Sequence, residues 1–411
     1  MEQRSYMLVV PKKEEDLMDL DGILSRLRDA QDFKLGEMNM QEEKLYLEIL
    51  YQGSTFQAEV YPTTYSVPEM YRIQHFFSDI DVEEIQKSEN GLAVELDFGE
   101  NALQSYHLQL KLIDTILPEK LAVFDDSSEK VLSGKWVALA ARSDIPPAPR
   151  YLYTVQAVYN EDEDCVWLHS HGLNRCNLTE LEILDSHKET YQEHYNVIET
   201  MANRMIELDE PIHPYEPLFM ANLGQGYSLV TTYVPWEDAI GFYDKGILGG
   251  REDRKESHNQ DTSLIFLYLD EESFKKGQFA PVSVVDDLLT DNPMYMFTLK
   301  ETERMKALAK ERFAFVKTAM KQKDVTILVK LGLEVDEEYK TKNNSHEHIW
   351  FELKEITDQD LTAMLTQEPY YVSGIKKGDI RTYSYDAITD WLILTPQRRL
   401  TPDDAYMLES E

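Results

Sequence analysis

The stretch Val166-Trp167-Leu168-His169-Ser170-His171-Gly172-Leu173-Asn174-Arg175-Cys176 sets the reading of the chain. An apolar run closed by a glycine reads as a buried strand, and a strand repeats every two residues, so His169 and His171 fall on one face. Two nitrogen donors side by side are a start on a metal site or a proton-transfer site. The same residues also admit a structural reading. The imidazoles then bond to backbone carbonyls or carboxylates, and Gly172 and Asn174 shape a turn.

Working outward, Tyr151 to Tyr159 reads as a strand and the acidic run from Asn160 to Asp164 as a turn, which makes a hairpin with Cys165 to His171. Asn177 is placed to cap a helix from Leu178 to about Leu184, with Glu180 in its first turn. A longer helix covers His187 to Leu208. Strands follow at Tyr227 to Val234 and Leu264 to Leu269, and the polar, glycine-bearing Gly246 to Thr262 between them reads as a long surface loop.

Toward the N-terminus, strands are expected at Tyr6 to Val10, Lys44 to Tyr51, Thr55 to Tyr61, Leu92 to Phe98 and Lys120 to Phe124. Helices are expected over Glu14 to Ala30, with an apolar stripe from Leu17 to Leu27, and over Asn101 to Leu117. In the last third, Lys300 to Met320 has the spacing of one amphipathic helix. Strands are expected at Val325 to Leu331 and His348 to Ile356. The turn Lys376-Lys377-Gly378-Asp379 should join Tyr370-Tyr371-Val372 to Ile380-Arg381-Thr382-Tyr383. Three prolines between Pro146 and Pro149 mark a stiff boundary. The expectation is an α+β fold, mainly antiparallel sheets with packed helices, in three units: residues 1–145, 146–292 and 293–411.

Composition narrows the function classes. The net charge of −35, from 76 acidic against 41 basic residues, repels phosphate backbones and anionic lipid, so neither nucleic acid nor membrane is an expected partner. The acidity keeps the chain soluble or attracts a basic protein partner. No run of 18 apolar residues is present, and the first residues lack the pattern of a signal peptide. Only Cys165 and Cys176 occur, which suits a reducing compartment; the expected location is the cytoplasm. Gly224-Gln225-Gly226 and Gly246 to Gly250 lack the spacing of a phosphate or dinucleotide loop. His346 and His348 repeat the same-face pattern, with His346 expected in solvent.

The segment His169-Ser170-His171-Gly172, with Thr179 and Glu182 following, resembles the metal-binding pattern of the JAMM metalloprotease family. The resemblance implies His169 and His171 as zinc ligands, Glu182 as the third ligand and Thr179 beside the oxyanion. Gly172, Thr179 and Glu182 replace that family's proline, serine and aspartate, and an extra methylene moves a carboxylate by roughly 1.5 Å where ligand distances tolerate about 0.2 Å. The upstream catalytic glutamate has one candidate, Glu95. Ser170, Gly172, Asn174, Arg175 and Thr179 make up a candidate ligand or turn site around the histidines.

Two further resemblances organise the chain. Glu347-His348-Ile349-Trp350, Gly374 to Asp379 and Ile388-Thr389-Asp390-Trp391 resemble the bacterial domain-of-unknown-function family 2314, over about Phe297 to Leu394. Trp167 to Cys176 with Glu180-Leu181-Glu182 resembles the Bacillus-type family of unknown function 4026. Together they imply a cytosolic Gram-positive protein without an assigned activity. The functional expectation is a non-enzymatic interaction protein of immunity or regulatory type that needs no cofactor, its interface anchored by Tyr370, Tyr371, Tyr383 and Tyr385 if these are exposed. The alternative is a zinc-dependent hydrolase using His169, His171 and Glu182.

Overall fold

Three sheets account for the chain in the computed structural model, which describes residues 3–68, 77–160, 164–224, 226–254, 262–291, 299–341 and 345–410. By contacts the chain divides into one unit of residues 1–142 with 146–298, holding the first two sheets, and another of 143–145 with 299–411. The α+β class with antiparallel sheets is what the pattern of elements predicts.

The first sheet is wholly antiparallel. It contains β1 (Arg4–Pro11), β2 (Lys34–Gln41), β3 (Lys44–Tyr51), β4 (Ser54–Thr64), β5 (Asn90–Asp97), β6 (Lys120–Asp125) and β7 (Lys130–Ser133), in the spatial order β2-β3-β4-β5-β1-β6-β7. Alternation along β3 is clear, with Leu45, Leu47, Ile49 and Tyr51 buried. The expected helix over Glu14 to Ala30 is two pieces, a 3-10 turn at Glu14–Leu17 and α1 (Leu20–Asp29). Asp19 separates them because its side chain accepts from the Gly22 N–H and starts a new helix. Helix α2 (Ala102–Ile116) starts where Asn101 accepts from Gln104 N, and it is buried around most of its circumference. Strand β7 and α3 (Gly134–Arg142) were not anticipated. The proline run is buried at Pro147 and Pro149 and leads to the buried Tyr151.

The second sheet holds β8 (Thr154–Tyr159), β9 (Cys165–His171), β10 (Glu180–His187), β11 (Leu218–Gly224), β12 (Tyr227–Pro235), β13 (Thr262–Leu267) and the short β14 (Ala280–Pro281). Its order is β11-β12-β13-β10-β9-β8, with β14 on β13. The β8–β9 hairpin forms as expected. Residues 178–184 do not form a helix; they lie mostly in β10, paired antiparallel to β9 and parallel to β13. The acids in Glu180-Leu181-Glu182-Ile183-Leu184 suggest a solvent-facing helix side, yet every one of these five residues is buried. A central strand is covered on both faces, and here one face is built around carboxylates. Helix α4 (Tyr191–Glu207) packs Val197, Ile198, Met201 and Met205 against Val166, Leu168, Leu181 and Ile183.

Part of the expected surface loop is also internal. Gly249 (φ +79) lies so close to Trp167 that a Cβ there would meet the indole at 2.7 Å, and the following turn delivers Arg254 into the core. Residues 255–261 of that loop fall outside the described residues.

In the other unit, β15 (Thr326–Glu334), β16 (His346–Ile356), β17 (Asp360–Leu365), β18 (Ile380–Ser384), β19 (Ile388–Leu394) and β20 (Arg399–Leu400) run β18-β17-β16-β15-β19-β20, all antiparallel. The expected single helix over Lys300 to Met320 is broken at Arg312 into α5 (Leu299–Glu311) and α6 (Phe313–Ala319). The Arg312 guanidinium turns inward and donates to Pro402 O. The partner of β18 is β17, not Tyr370-Tyr371-Val372, which is a loop. The turn at Lys376 to Asp379 is as expected, closed by Asp379 N to Lys376 O at 3.0 Å.

Candidate functional site at the His-Ser-His-Gly turn

Strand β9 places its side chains as a period of two requires. Val166 and Leu168 face α4, while Trp167, His169 and His171 form a row on the other face. The ring centroids are 4.4 Å apart for Trp167–His169 and 4.9 Å for His169–His171. His169 is only 2% exposed. Burial lowers the His171 pKa to about 4, so this ring is neutral at neutral pH, although Glu129 Oε1 lies 3.6 Å from its Nδ1. Gln156 Nε2 holds the other Glu129 oxygen at 2.7 Å.

The turn after the histidines is built on Glu180. Its carboxylate accepts from the backbone N–H of Gly172 (2.8 Å) and of Asn174 (3.0 Å) and from Ser170 Oγ (2.6 Å). Ser170 Oγ in turn accepts from Leu181 N at 2.8 Å. Burial pushes the Glu180 carboxyl above the usual range, opposed by these donors. Gly172 has φ +111, and a Cβ there would stand 2.5 Å from Leu152 O. Proline, fixed near −65°, cannot adopt this conformation, so the turn differs in kind from the His-Ser-His-Pro turn it resembles.

Arg175 closes the turn onto the first sheet. Its guanidinium forms two hydrogen bonds with Asp125, at 2.7 and 2.8 Å, and donates to Ser5 Oγ (2.9 Å) and Leu152 O (2.6 Å). It lies 5.1 Å from the Tyr106 ring centroid and 5.6 Å from that of Phe98. Both side chains of the ion pair are essentially without solvent exposure. Beside them, Lys130 donates to Tyr153 O at 2.7 Å, and burial pulls its pKa down to about 7. This is a polar seam joining two sheets, in which Arg175 Nη1 and Nη2 and Lys130 Nζ each end on an acceptor.

Glu182 lies opposite His169 in the β9–β10 register, on the histidine face. Its Oε2 accepts from Arg254 Nη2 (2.6 Å) and Trp167 Nε1 (2.9 Å), and Arg254 stacks over Trp236 at 4.3 Å. The structure therefore brings His169 and His171 together but commits Glu182 to a cation and an indole. Among the described residues no group of three His, Cys, Asp or Glu side chains is arranged to hold a metal ion. Thr179 Oγ1 is paired with Ser263 Oγ at 2.9 Å. Cys176 is held protonated, its pKa raised to about 12 by burial, and Cys165 Sγ donates to Leu184 O. Glu95 belongs to the first sheet, where it meets Tyr61 Oη and Arg4.

A serine–histidine–aspartate line that the sequence did not suggest runs behind β10. His194 Nδ1 lies 2.9 Å from Ser186 Oγ and His194 Nε2 lies 2.8 Å from Asp286 Oδ1. The distances suit a nucleophile, base and orienting acid, although the ring is reversed relative to a serine-hydrolase triad, with Nδ1 on the serine and Nε2 on the acid. Ser186 and His194 are both wholly buried, however, so no substrate reaches the hydroxyl. The line ties α4 to β10.

The second unit shows the opposite arrangement. Buried Glu347 on β16 accepts from the backbone N–H groups of Tyr370 and Tyr371, each at 2.8 Å, one per oxygen. The held rings face solvent, Tyr370 at 79% and Tyr371 at 41% exposure, with Tyr339 at 43% beside them. Tyr339–Tyr371 and Tyr371–Tyr370 centroids are 5.4 and 6.2 Å apart. Tyr383 instead packs on Phe351, and Tyr385 packs on Phe313 and donates to Thr357 O. His346 is exposed as expected, and His348 is paired with Thr389 Oγ1 at 3.2 Å.

Three family models match the sequence. Residues 5–147 match the N-terminal part, and residues 155–266 the C-terminal part, of "Protein of unknown function (DUF4026)". Residues 300–401 match "Uncharacterized protein conserved in bacteria (DUF2314)". Searches of curated proteins and of solved structures returned no match.

Proposed function

We propose that this chain, which belongs to the DUF4026 family and carries a DUF2314 domain, is a non-enzymatic cytoplasmic interaction protein of immunity or regulatory type. One observation carries the reading. Three charged side chains in and beside the most reaction-like motif are engaged internally: Glu180 holds the turn, Arg175 holds Asp125, and Glu182 holds Arg254. A hydrolytic zinc needs three protein ligands converging on one open position. Here one oxygen of the third carboxylate, Glu182 Oε2, is already held by the Arg254 guanidinium at 2.6 Å.

The competing reading, zinc-dependent hydrolysis, rests on the paired imidazoles 4.9 Å apart. Elemental analysis of the purified full chain separates the two. The interaction reading expects zinc well below one atom per chain, unchanged in His169→Ala. It also expects a stoichiometric protein partner to co-purify from the native cytosol. One zinc per chain, lost with His169→Ala, and no partner would overturn it.

A further inference from the structure

We propose that the row Tyr339–Tyr371–Tyr370 is a docking site for an arginine-bearing, basic segment of a partner protein; this rests on the interaction reading and names the surface and the chemistry. The rings are exposed yet built. Exposed tyrosines on an unfixed loop lose entropy on binding, whereas here Glu347 fixes both backbone N–H groups and Asp336 fixes the next turn. Asp336 N also donates to Tyr371 O at 2.9 Å, which sets Tyr339 and Tyr371 side by side. A large aromatic side chain on a fixed backbone and left uncovered suits the anchor of a binding hot spot.

The occupant follows from charge and ring chemistry. Elsewhere in this unit rings are covered by cations: Lys330 lies 5.5 Å from the Trp350 centroid and Lys317 lies 5.2 Å from that of Tyr385. Among the described residues no lysine or arginine lies over Tyr339, Tyr370 or Tyr371. Exposed carboxylates flank the row in sequence, Glu334, Glu337, Glu338 and Glu368, interspersed with exposed Lys340, Lys376 and Lys377. Lys340 reaches Glu334 and Glu337, at 3.2 Å each. A planar guanidinium stacks on tyrosine faces and presents its N–H groups to carboxylates at the edge, which an ammonium does less well. The net charge of −35 adds long-range attraction for a basic partner.

The test uses the full chain and a fluorescein-labelled peptide of alternating glycine and arginine, followed by anisotropy. Binding should weaken about tenfold in the double variant Tyr370→Ala/Tyr371→Ala, as expected for two exposed cation–π contacts. It should persist in Tyr370→Phe/Tyr371→Phe, which keeps the rings. A glycine–lysine peptide should bind several-fold more weakly. Glu347→Gln, a positioning change, should weaken binding while the melting temperature stays near the parent's. The idea is overturned if the parent does not bind the peptide, or if the double alanine variant binds as the parent does. It is also overturned if Glu271→Gln/Glu272→Gln in the other unit weakens binding equally, since that would show only overall charge. A partner that still co-purifies with the double alanine variant would retire this surface and leave the interaction reading in place.

Discussion

Glu180 and Glu347 do the same local job in the two units and serve opposite ends. Each is a buried carboxylate accepting two backbone N–H groups of a nearby loop. Glu180 fixes a turn whose other side chains are also internal, so its rigidity stabilises a seam between sheets. Glu347 fixes a loop whose rings face solvent, so on the proposed reading its rigidity serves contact with a partner. Motif chemistry alone does not separate the cases. What separates them is where the side chains beside the held amides go.

The largest test of that contrast is the seam. Asp125→Ala leaves Arg175 buried and unpaired and should destabilise the first unit by about 3–5 kcal/mol in denaturant unfolding. Replacing both partners with apolar residues should recover much of the loss. A loss below roughly 1 kcal/mol for Asp125→Ala would mean that the seam is wet and the contrast with the tyrosine loop is false.

Protonation should separate the units next, with opposite signs. His171 is depressed to about 4 from an unfolded value near 6.5. Its contribution is therefore complete above pH ~6.5 and is lost as pH falls through about 4. Asp390, raised by burial to about 6 from an unfolded value near 3.9, contributes fully below pH ~3.9 and loses that contribution as pH rises through about 6. Unfolding at pH 4, 5, 6 and 7 should show His171→Gln removing a rise with pH and Asp390→Asn removing a fall, each on the order of 2–3 kcal/mol. Curves parallel to the parent's would show that neither site is as dry as its packing indicates.

The smallest effect compares the two glutamates directly. Glu180→Gln should cost about 1–2 kcal/mol of global stability. Glu347→Gln should cost about 0.5 kcal/mol or less, yet speed hydrogen exchange at the Tyr370 and Tyr371 amides about tenfold. A global loss from Glu347→Gln equal to that from Glu180→Gln would make the tyrosine loop part of a core.

Much of this was legible in sequence where periodicity decides the outcome. The shared face of His169 and His171, the β8–β9 hairpin and the turn at Lys376 to Asp379 follow from local spacing. Where polar residues are internal, local reading fails. Glu180 and Glu182 look like the wet side of a helix because their partners are distant or backbone: Arg254 is 72 residues from Glu182, and Arg175 finds Asp125 50 residues away. The charges that border apolar runs, Lys130 before Val131-Leu132 and Asp125 after Val123-Phe124, sit in a polar stretch from Asp125 to Lys130 that reads as an exposed turn. The exposure of Tyr370 and Tyr371 was an open condition in the sequence, because tyrosine suits a core and an interface equally.

The parallel pairing of β10 with β13 has a consequence for how the chain is made. Glu180 and Glu182 are laid down well before Thr262 to Leu264 leave the ribosome, and these are the residues they align with. At roughly 5–20 residues per second, synthesis leaves that edge of β10 unmatched for several seconds. During that interval water can solvate both carboxylates, and their acidity discourages strand pairing with a neighbouring nascent chain. The buried acids would thus act first as a safeguard against aggregation and only later as the keystones of a dry interior.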